Sequence, residues 1–342
     1  MEKLSTCLAL IEIVNSCNLS CPTCYADSPL GSEQRVDAVP LAQLQRRIQD
    51  VIDRKGKIEI LQLSGGEPTL HPEFFELLRW LQEHPGIDYV LLNTNGVRIA
   101  NDANFSRELS RVFRYGKFQI YLQFDGVQEE GQKFLRGADL RATRERCIQL
   151  CAEIKLPVTL AMTVTRENLP FVWDAIQFGL RWPNVRGISF QPIFESGRVP
   201  PSKNSKFKVE ERLNTADIIL AAVGQSNGKL RFDDFTPLPC GDPNCATIGY
   251  LLKVAGETRS ISDFIDFENV QGFLGTKVRY KLEDLMKCGC ESEPLGELLR
   301  QFELDESHTF RLFIKPFMDA MTWDEDRIDR CCTHVIRPDG KL

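Results

Sequence analysis

The chain has 342 residues, 42% of them hydrophobic and 26% charged, with a net charge of −6. This length can bury a large core and hold two domains, and the composition is that of an ordinary globular protein. The acidic balance argues against a nucleic-acid partner, which needs a basic face; no apolar run nears the roughly 20 residues of a membrane span, and no leader pattern opens the chain, so the cytoplasm is the expected compartment.

Residues 8–14 (LALIEIV) read as a first strand, short and mostly apolar. Asn15 and Ser16 break it, and three cysteines follow within eight residues: Cys17, Cys21 and Cys24, spaced C-x3-C-x2-C, with Tyr25 directly after. Pro22 fixes one φ angle and keeps the loop from continuing as a helix. Three thiolates on one short loop can hold three irons of a [4Fe–4S] cube and leave the fourth iron open to a small molecule. Two other readings stay open at this point. A zinc knuckle wants a second Cys or His pair, and none lies at a knuckle's distance. Free core thiols are the other.

A helix-period segment over 40–54 follows, with Pro40 suited to its first turn. Strand 57–63 ends in Ser64-Gly65-Gly66-Glu67-Pro68. The glycines permit close backbone approach, and Glu67 can accept from an ammonium; taken alone, the segment is an ordinary β-to-α turn. Helix 71–83 closes at His84-Pro85-Gly86, and strand 87–93 runs into Thr94-Asn95-Gly96. Helix 103–115 leads to strand 117–124, which ends at Gln123-Phe124-Asp125-Gly126. Helix 138–154 carries Cys147 and Cys151 four residues apart, so they share a face as buried small hydrophobes. Strand 156–164 leads to Thr163, Thr165 and Asn168; helix 168–181, strand 185–193 with Gln191 near its end, and helix 209–224 complete the series. Repeated β-then-α units predict a parallel sheet with right-handed crossovers, whose ligands gather at the carboxyl ends of the strands. The polar groups at those ends also suit plain turn chemistry.

Past residue 226 the pattern changes. Pro237, Pro239 and Pro243 flank Cys240 and Cys245; Cys288-Gly289-Cys290 and Cys331-Cys332-Thr333-His334 follow. Twelve cysteines are many for a chain of this class, and metal or cluster ligation explains them better than a disulfide scaffold. Six of them, in short pairs brought together by folding, can supply most ligands of one or two auxiliary clusters, with zinc as the alternative. The division expected is 1–225 and 226–342, the second part smaller, irregular and cysteine-rich.

The cysteine loop at the end of a first strand, with GGEP one strand later, resembles the radical S-adenosylmethionine (SAM) enzymes. The resemblance implies a partial TIM-like (β/α)6 barrel. It implies a [4Fe–4S] cluster on Cys17, Cys21 and Cys24, and SAM chelating the open iron. Cleavage to a 5′-deoxyadenosyl radical and hydrogen abstraction from an unactivated carbon follow, then carbon–carbon bond formation or methylation. Gly65, Gly66, Glu67 and Pro68 would contact the methionine amine, and Asn95, Asp125, Thr163, Asn168 and Gln191 the remainder of SAM. An electron donor such as flavodoxin or ferredoxin is implied. The segments PCGDPNCATIGY (239–250) and RCCTHVIRPDG (330–340) resemble the branch that includes archaeal tetraether-lipid synthase and 7,8-dihydro-6-hydroxymethylpterin dimethyltransferases. That implies a lipid or pterin-like substrate. Members of the branch carry further cysteines before Cys7 and after the DG segment, so this chain resembles a form shortened at both ends. The competing class is non-catalytic: an iron–sulfur electron carrier or a zinc-stabilised binding module, neither of which needs GGEP.

Overall fold

A computed structural model describes residues 8–31, 35–199, 212–237, 242–254, 257–263 and 308–342. Strands β1 (Leu8–Val14), β2 (Ile58–Gly65), β3 (Ile87–Thr94), β4 (Phe118–Gln123), β5 (Val158–Val164) and β6 (Val185–Pro192) pair in sequence order, all parallel. Helices α1 (Leu41–Lys55), α2 (Phe74–Glu83), α3 (Val97–Asn101), α4 (Ala103–Val112), α5 (Glu129–Arg136), α6 (Arg141–Glu153), α7 (Val172–Leu180) and α8 (Thr215–Gln225) connect or follow them. This is the α/β parallel architecture expected from the alternating pattern, and the sheet curls as a partial barrel that does not close.

Side chains alternate along each strand, and the two faces differ in chemistry. Ala9, Ile11 and Ile13 of β1, Leu61 and Leu63 of β2, Phe118, Ile120 and Leu122 of β4, and Leu160 and Met162 of β5 join one aliphatic core under the helices. The other face carries Gln62, Tyr121, Gln123, Thr163 and Gln191 into a cavity. The helices supply the matching apolar stripe: Leu44, Ile48 and Val51 of α1 and Phe74, Leu77, Leu78 and Leu81 of α2 are fully or almost fully buried. Cys147 and Cys151 sit in the same core on α6, as their spacing predicts.

Residues after 226 extend this one sheet. β7 (Thr236–Pro237), β8 (Thr247–Val254) and β9 (Glu257–Ser260) form an antiparallel group. It is joined to the barrel by β10 (Thr309–Ile314), which runs parallel to β6 and antiparallel to β8. At the opposite edge β11 (Thr333–Val335) pairs parallel with β1, in register Leu8 to Thr333. Between them, helix α9 (Glu325–Asp329) ends next to Arg330, whose guanidinium meets Asp242 at 3.4 Å.

Several boundaries differ from the sequence pattern. The 103–115 helix starts where expected, at Ala103, because the Asp102 carboxylate accepts from Asn104 N and Phe105 N and caps α4, but it ends early, at Val112. Helix α5 was not visible in the sequence, because its eight residues (EEGQKFLR) include a glycine and few apolar positions.

Candidate active site

The cysteine loop is a docked segment held from three sides. It leaves β1 where Gly65 and Gly66 come up against it. A Cβ on Gly65, which has φ +124°, would sit 2.1 Å from Val14 O, and one on Gly66 would sit 2.1 Å from Ser16 O. Only hydrogen fits at either place. In return Gly66 N donates to Val14 O at 2.7 Å and Glu67 N to Ser16 O at 2.9 Å. On a second side Arg198 bridges the loop. Its backbone exchanges two hydrogen bonds with Cys24, at 2.8 and 2.9 Å. Its guanidinium donates to Cys21 O at 3.0 Å, Ser28 O at 2.8 Å and Asp27 Oδ1 at 3.0 Å. On the third side Arg136 Nη1 donates to Thr23 O at 3.4 Å, and its guanidinium acts on Cys21 by charge and hydrogen bonding.

Cys17, Cys21 and Cys24 all line one cavity at the carboxyl ends of β1 to β6, and none is in a disulfide. Burial pushes the Cys17 thiol up to about 12, with Glu67 adding to the effect; burial also raises Cys21, against the pull of Arg136. Bare thiolates are therefore disfavoured here, whereas coordination to a metal deprotonates a thiol outright. Among the described residues, no three His, Cys, Asp or Glu side chains are gathered to hold a single metal ion. A loop of three thiols facing an open cavity fits a cube, whose irons sit at separate corners.

Glu67 is 1% exposed. Its Oε1 accepts from Thr69 N (3.2 Å), Thr69 Oγ1 (2.7 Å) and Thr94 Oγ1 (2.7 Å), and its Oε2 accepts from Asn95 N at 2.8 Å. Burial raises its pKa while these donors oppose the rise. The carboxylate thus ties the end of β2 to the end of β3. Glu67→Ala strands four buried donors, each costing about 1–3 kcal/mol unless water reaches it. We expect the unfolding free energy of the cluster-free chain to fall by about 2–4 kcal/mol in urea, and less for Glu67→Gln. Equal midpoints and slopes for wild type and Glu67→Ala would remove this bracing role.

Asn95 is braced in turn. Its Nδ2 donates to Asn18 Oδ1 at 2.6 Å and reaches Cys17 Sγ at 3.8 Å, while Val97 N donates to its Oδ1 at 3.0 Å. Asp125 is fully buried with φ 62°. Arg136 grips it at both oxygens, at 2.6 and 2.9 Å, and Thr163 N donates to it at 3.1 Å. Arg136 Nη2 also meets Thr163 Oγ1 at 3.2 Å. Gln191 Nε2 donates to the Tyr121 hydroxyl at 2.6 Å within the cavity, and the Tyr25 hydroxyl pairs with Ser64 Oγ at 2.9 Å.

The cavity thus gathers Gly65, Gly66, Glu67, Asn95, Asp125, Thr163 and Gln191 around the three thiols. Asn168 stands behind the rim. It is fully buried, and its amide is spent on Thr165 N, Thr163 O and Asp125 O. Pro68 is buried in the short helical turn that Glu67 caps. Of the C-terminal cysteines, Cys240, Cys288 and Cys290 lie outside the described residues. Cys245, Cys331 and Cys332 are half-buried and in no disulfide among the described residues; Lys315 Nζ lies 3.2 Å from Cys245 Sγ. The Arg330–Asp242 pair ties the residue just before Cys331 to the loop that leads into Cys245. Arg136, Arg198, Tyr25 and Tyr121 were not singled out in the sequence as site residues. For Tyr25 a signal existed, since it directly follows the last cysteine of the loop.

The description "Radical SAM superfamily" matches residues 11–178. The chain is 28% identical over 399 aligned positions to 7,8-dihydro-6-hydroxymethylpterin dimethyltransferase of Methanocaldococcus jannaschii, covering 100% of this chain and 76% of that protein. It is 31% identical over 278 positions to GTP 3′,8-cyclase of Chlorobaculum tepidum, covering 76% of this chain and 79% of that protein. Among solved structures, Streptococcus suis SuiB bound to S-adenosylmethionine is similar with a TM-score of 0.48 at 16% identity, covering 65% of this chain and 47% of that one. Native anSMEcpe with bound AdoMet has a TM-score of 0.45 at 24% identity, covering 63% and 58%. The chain spans about half the length of these solved structures.

Proposed function

This chain belongs to the radical SAM superfamily of enzymes, which use a [4Fe–4S] cluster and SAM, and from that premise we propose that it methylates or forms a carbon–carbon bond on a polar, pterin-like heterocycle. The observation that carries the substrate class is the inner face of the barrel. Gln62, Asn93, Tyr121, Gln123, Thr163 and Gln191 put amides and hydroxyls into the cavity. A lipid chain would strip water from these groups and pair with none of them, at about 1–3 kcal/mol for each group left unsatisfied. A fused ring with ring nitrogens, an amine and a carbonyl pairs with them. Phe194 and Phe317, whose ring centroids lie 5.2 Å apart at the mouth, offer a face to stack on. A relative that aligns along the whole chain is named for a pterin substrate, which supports the same choice.

Cys17, Cys21 and Cys24 hold the catalytic cluster in this reading. When bound, the reduced cluster supplies the electron that cleaves SAM to the hydrogen-abstracting 5′-deoxyadenosyl radical. Gly65 and Gly66 give SAM access to the backbone. Among the described residues Glu67 Oε2 has a single donor, so one lone pair remains for the methionine ammonium. Asn95 and the Asp125–Arg136–Thr163 group form the rim against which the rest of SAM is oriented, and Gln191 with Tyr121 faces the substrate. Cys240, Cys245, Cys288, Cys290, Cys331 and Cys332 ligate one or two auxiliary iron–sulfur centres in the 226–342 part. A low-potential donor such as flavodoxin or ferredoxin, in the cytoplasm, completes the scheme.

The test is anaerobic turnover of the reconstituted protein with SAM, dithionite and 7,8-dihydro-6-hydroxymethylpterin. We expect the pterin to stimulate 5′-deoxyadenosine release and to gain carbon by mass spectrometry. Stimulation by an isoprenoid lipid and none by the pterin would transfer the proposal to the lipid class.

A further inference from the structure

Two buried arginines, Arg136 and Arg144, interact electrostatically with Cys21 of the cysteine loop, and a single carboxylate answers them. Arg136, the last residue of α5, is gripped by Asp125 at both oxygens. Burial works against its charge, and Asp125 and Cys21 more than restore it, so its pKa stands above the ordinary value. Arg144, in the first turn of α6, is fully buried. Among the described residues it donates only to Gln123, to the backbone carbonyl and, at 2.8 Å, to the side-chain oxygen. Its Nη1 has no hydrogen-bond partner among the described residues. The ionisable groups that act on it are Asp125, Arg136, Cys147 and Cys21, and both oxygens of Asp125 are already taken by Arg136 and Thr163.

The charges do not balance. Two guanidiniums face one carboxylate, an excess of one positive charge. The amino end of α6 adds to it, because its aligned peptides are positive there and no acidic side chain sits in its first turn. An unpaired buried charge costs several kcal/mol, and burial accordingly pulls the Arg144 pKa down to about 10. A purely structural role does not call for this. Holding Gln123 needs only a neutral donor, and replacing buried charge by apolar packing is often neutral or favourable.

We propose that Arg144, together with Arg136, is the counter-charge to the thiolate-bound cluster and makes its one-electron reduction easier. The proposal rests on the assignment of Cys17, Cys21 and Cys24 as cluster ligands. Three thiolates outweigh the positive charge of the oxidised core, and reduction adds one more negative charge to the same volume. A fixed cation in a low-dielectric interior stabilises the reduced form more than the oxidised form. The charge is delivered on the Cys21 side, through Arg136. On the Cys17 side the carboxylate of Glu67 acts on the thiol, so the polarity across the loop is directional. Gln123 lines the cavity, and Arg144 fixes which way its amide points. Arg144 is thus a positioning and electrostatic residue, without contact to substrate.

The experiment is an anaerobic redox titration of the reconstituted protein followed by electron paramagnetic resonance, without SAM. Arg144→Met is expected to move the midpoint of the Cys17–Cys21–Cys24 cluster to a more negative potential. Asp125→Asn should move it to a more positive one, and Arg144→Lys should leave it near wild type. Equal shifts for Arg144→Met and Arg144→Lys would mean packing and overturn the charge role. Shifts of the same sign in Arg144→Met and Asp125→Asn, or no shift in either, would overturn it too. If Arg144→Met fails to fold, Arg144→Lys and Asp125→Asn still decide: an Asp125→Asn midpoint at or below wild type sinks the proposal. Wild-type protein that assembles no cluster on these cysteines would instead overturn the cluster assignment itself, so the two failures are distinct.

Discussion

Joint replacement of Cys17, Cys21 and Cys24 by Ala is expected to remove the iron of one [4Fe–4S] cluster and abolish 5′-deoxyadenosine formation, while leaving any iron bound by the C-terminal cysteines. The three sulfurs line one cavity beside Gly65, Gly66 and Glu67, so deleting them removes the only thiols placed there among the described residues. The cost to the fold should be small. The loop is held chiefly by backbone hydrogen bonds to Pro29, Arg198 and Leu135, and burial already disfavours the charged thiolate at Cys17 and Cys21. The expected pattern is therefore a folded, iron-depleted and inactive protein. Retained SAM cleavage in the triple variant under dithionite would refute the site.

The second large effect is expected from one methyl group. Gly66→Ala places a Cβ 2.1 Å from Ser16 O, 2.5 Å from Ser16 C and 2.7 Å from Asn15 O. These are backbone atoms of the segment that leads into Cys17, so no side chain can rotate away. Either the loop shifts or the bonds from Gly66 N to Val14 O and from Glu67 N to Ser16 O break. Overpacking costs typically about 1–3 kcal/mol, occasionally more, and a pure backbone clash belongs at the upper end. We expect SAM affinity to drop by about a hundredfold, roughly 2.7 kcal/mol, with partial loss of cluster iron. Anaerobic calorimetry and iron analysis read both quantities, and wild-type values in each would show that the approach of the two backbones is not needed.

Much of this arrangement was legible in the sequence, and the reason is local. The first six strands announce themselves because one face must be aliphatic to pack under helices, and that alternation survives in the string: β1 was read with its observed limits, and β2 to β6 within a few residues. The cysteines and GGEP were legible because spacing and backbone demands are written contiguously. The arginines were not. Arg136, Arg144 and Arg198 look like any surface cation in sequence, and their function comes from contacts across 113, 21 and 177 positions. Helix α5, which delivers Arg136, has too few apolar residues to show a period. Glu67 was recognised as an acceptor, but its four internal donors depend on β2 and β3 lying side by side. The pairing of β10 with β6 and of β11 with β1 joins segments more than a hundred residues apart, and no local pattern encodes it.

The pairing of β1 with β11 has a consequence for synthesis. Leu8 lies opposite Thr333, and Ile336 N donates to Leu10 O at 2.8 Å. The strand that launches the cysteine loop therefore leaves the ribosome more than 300 residues ahead of its outer partner. At about 5–20 residues per second, on the order of tens of seconds separate the two events. Throughout that interval one side of β1 exposes unsatisfied donors and acceptors, the kind of edge that recruits foreign strands. During that interval the strand before the cysteine loop is unlatched, accessible to assembly factors and vulnerable to mispairing, and β11 acts as its clasp.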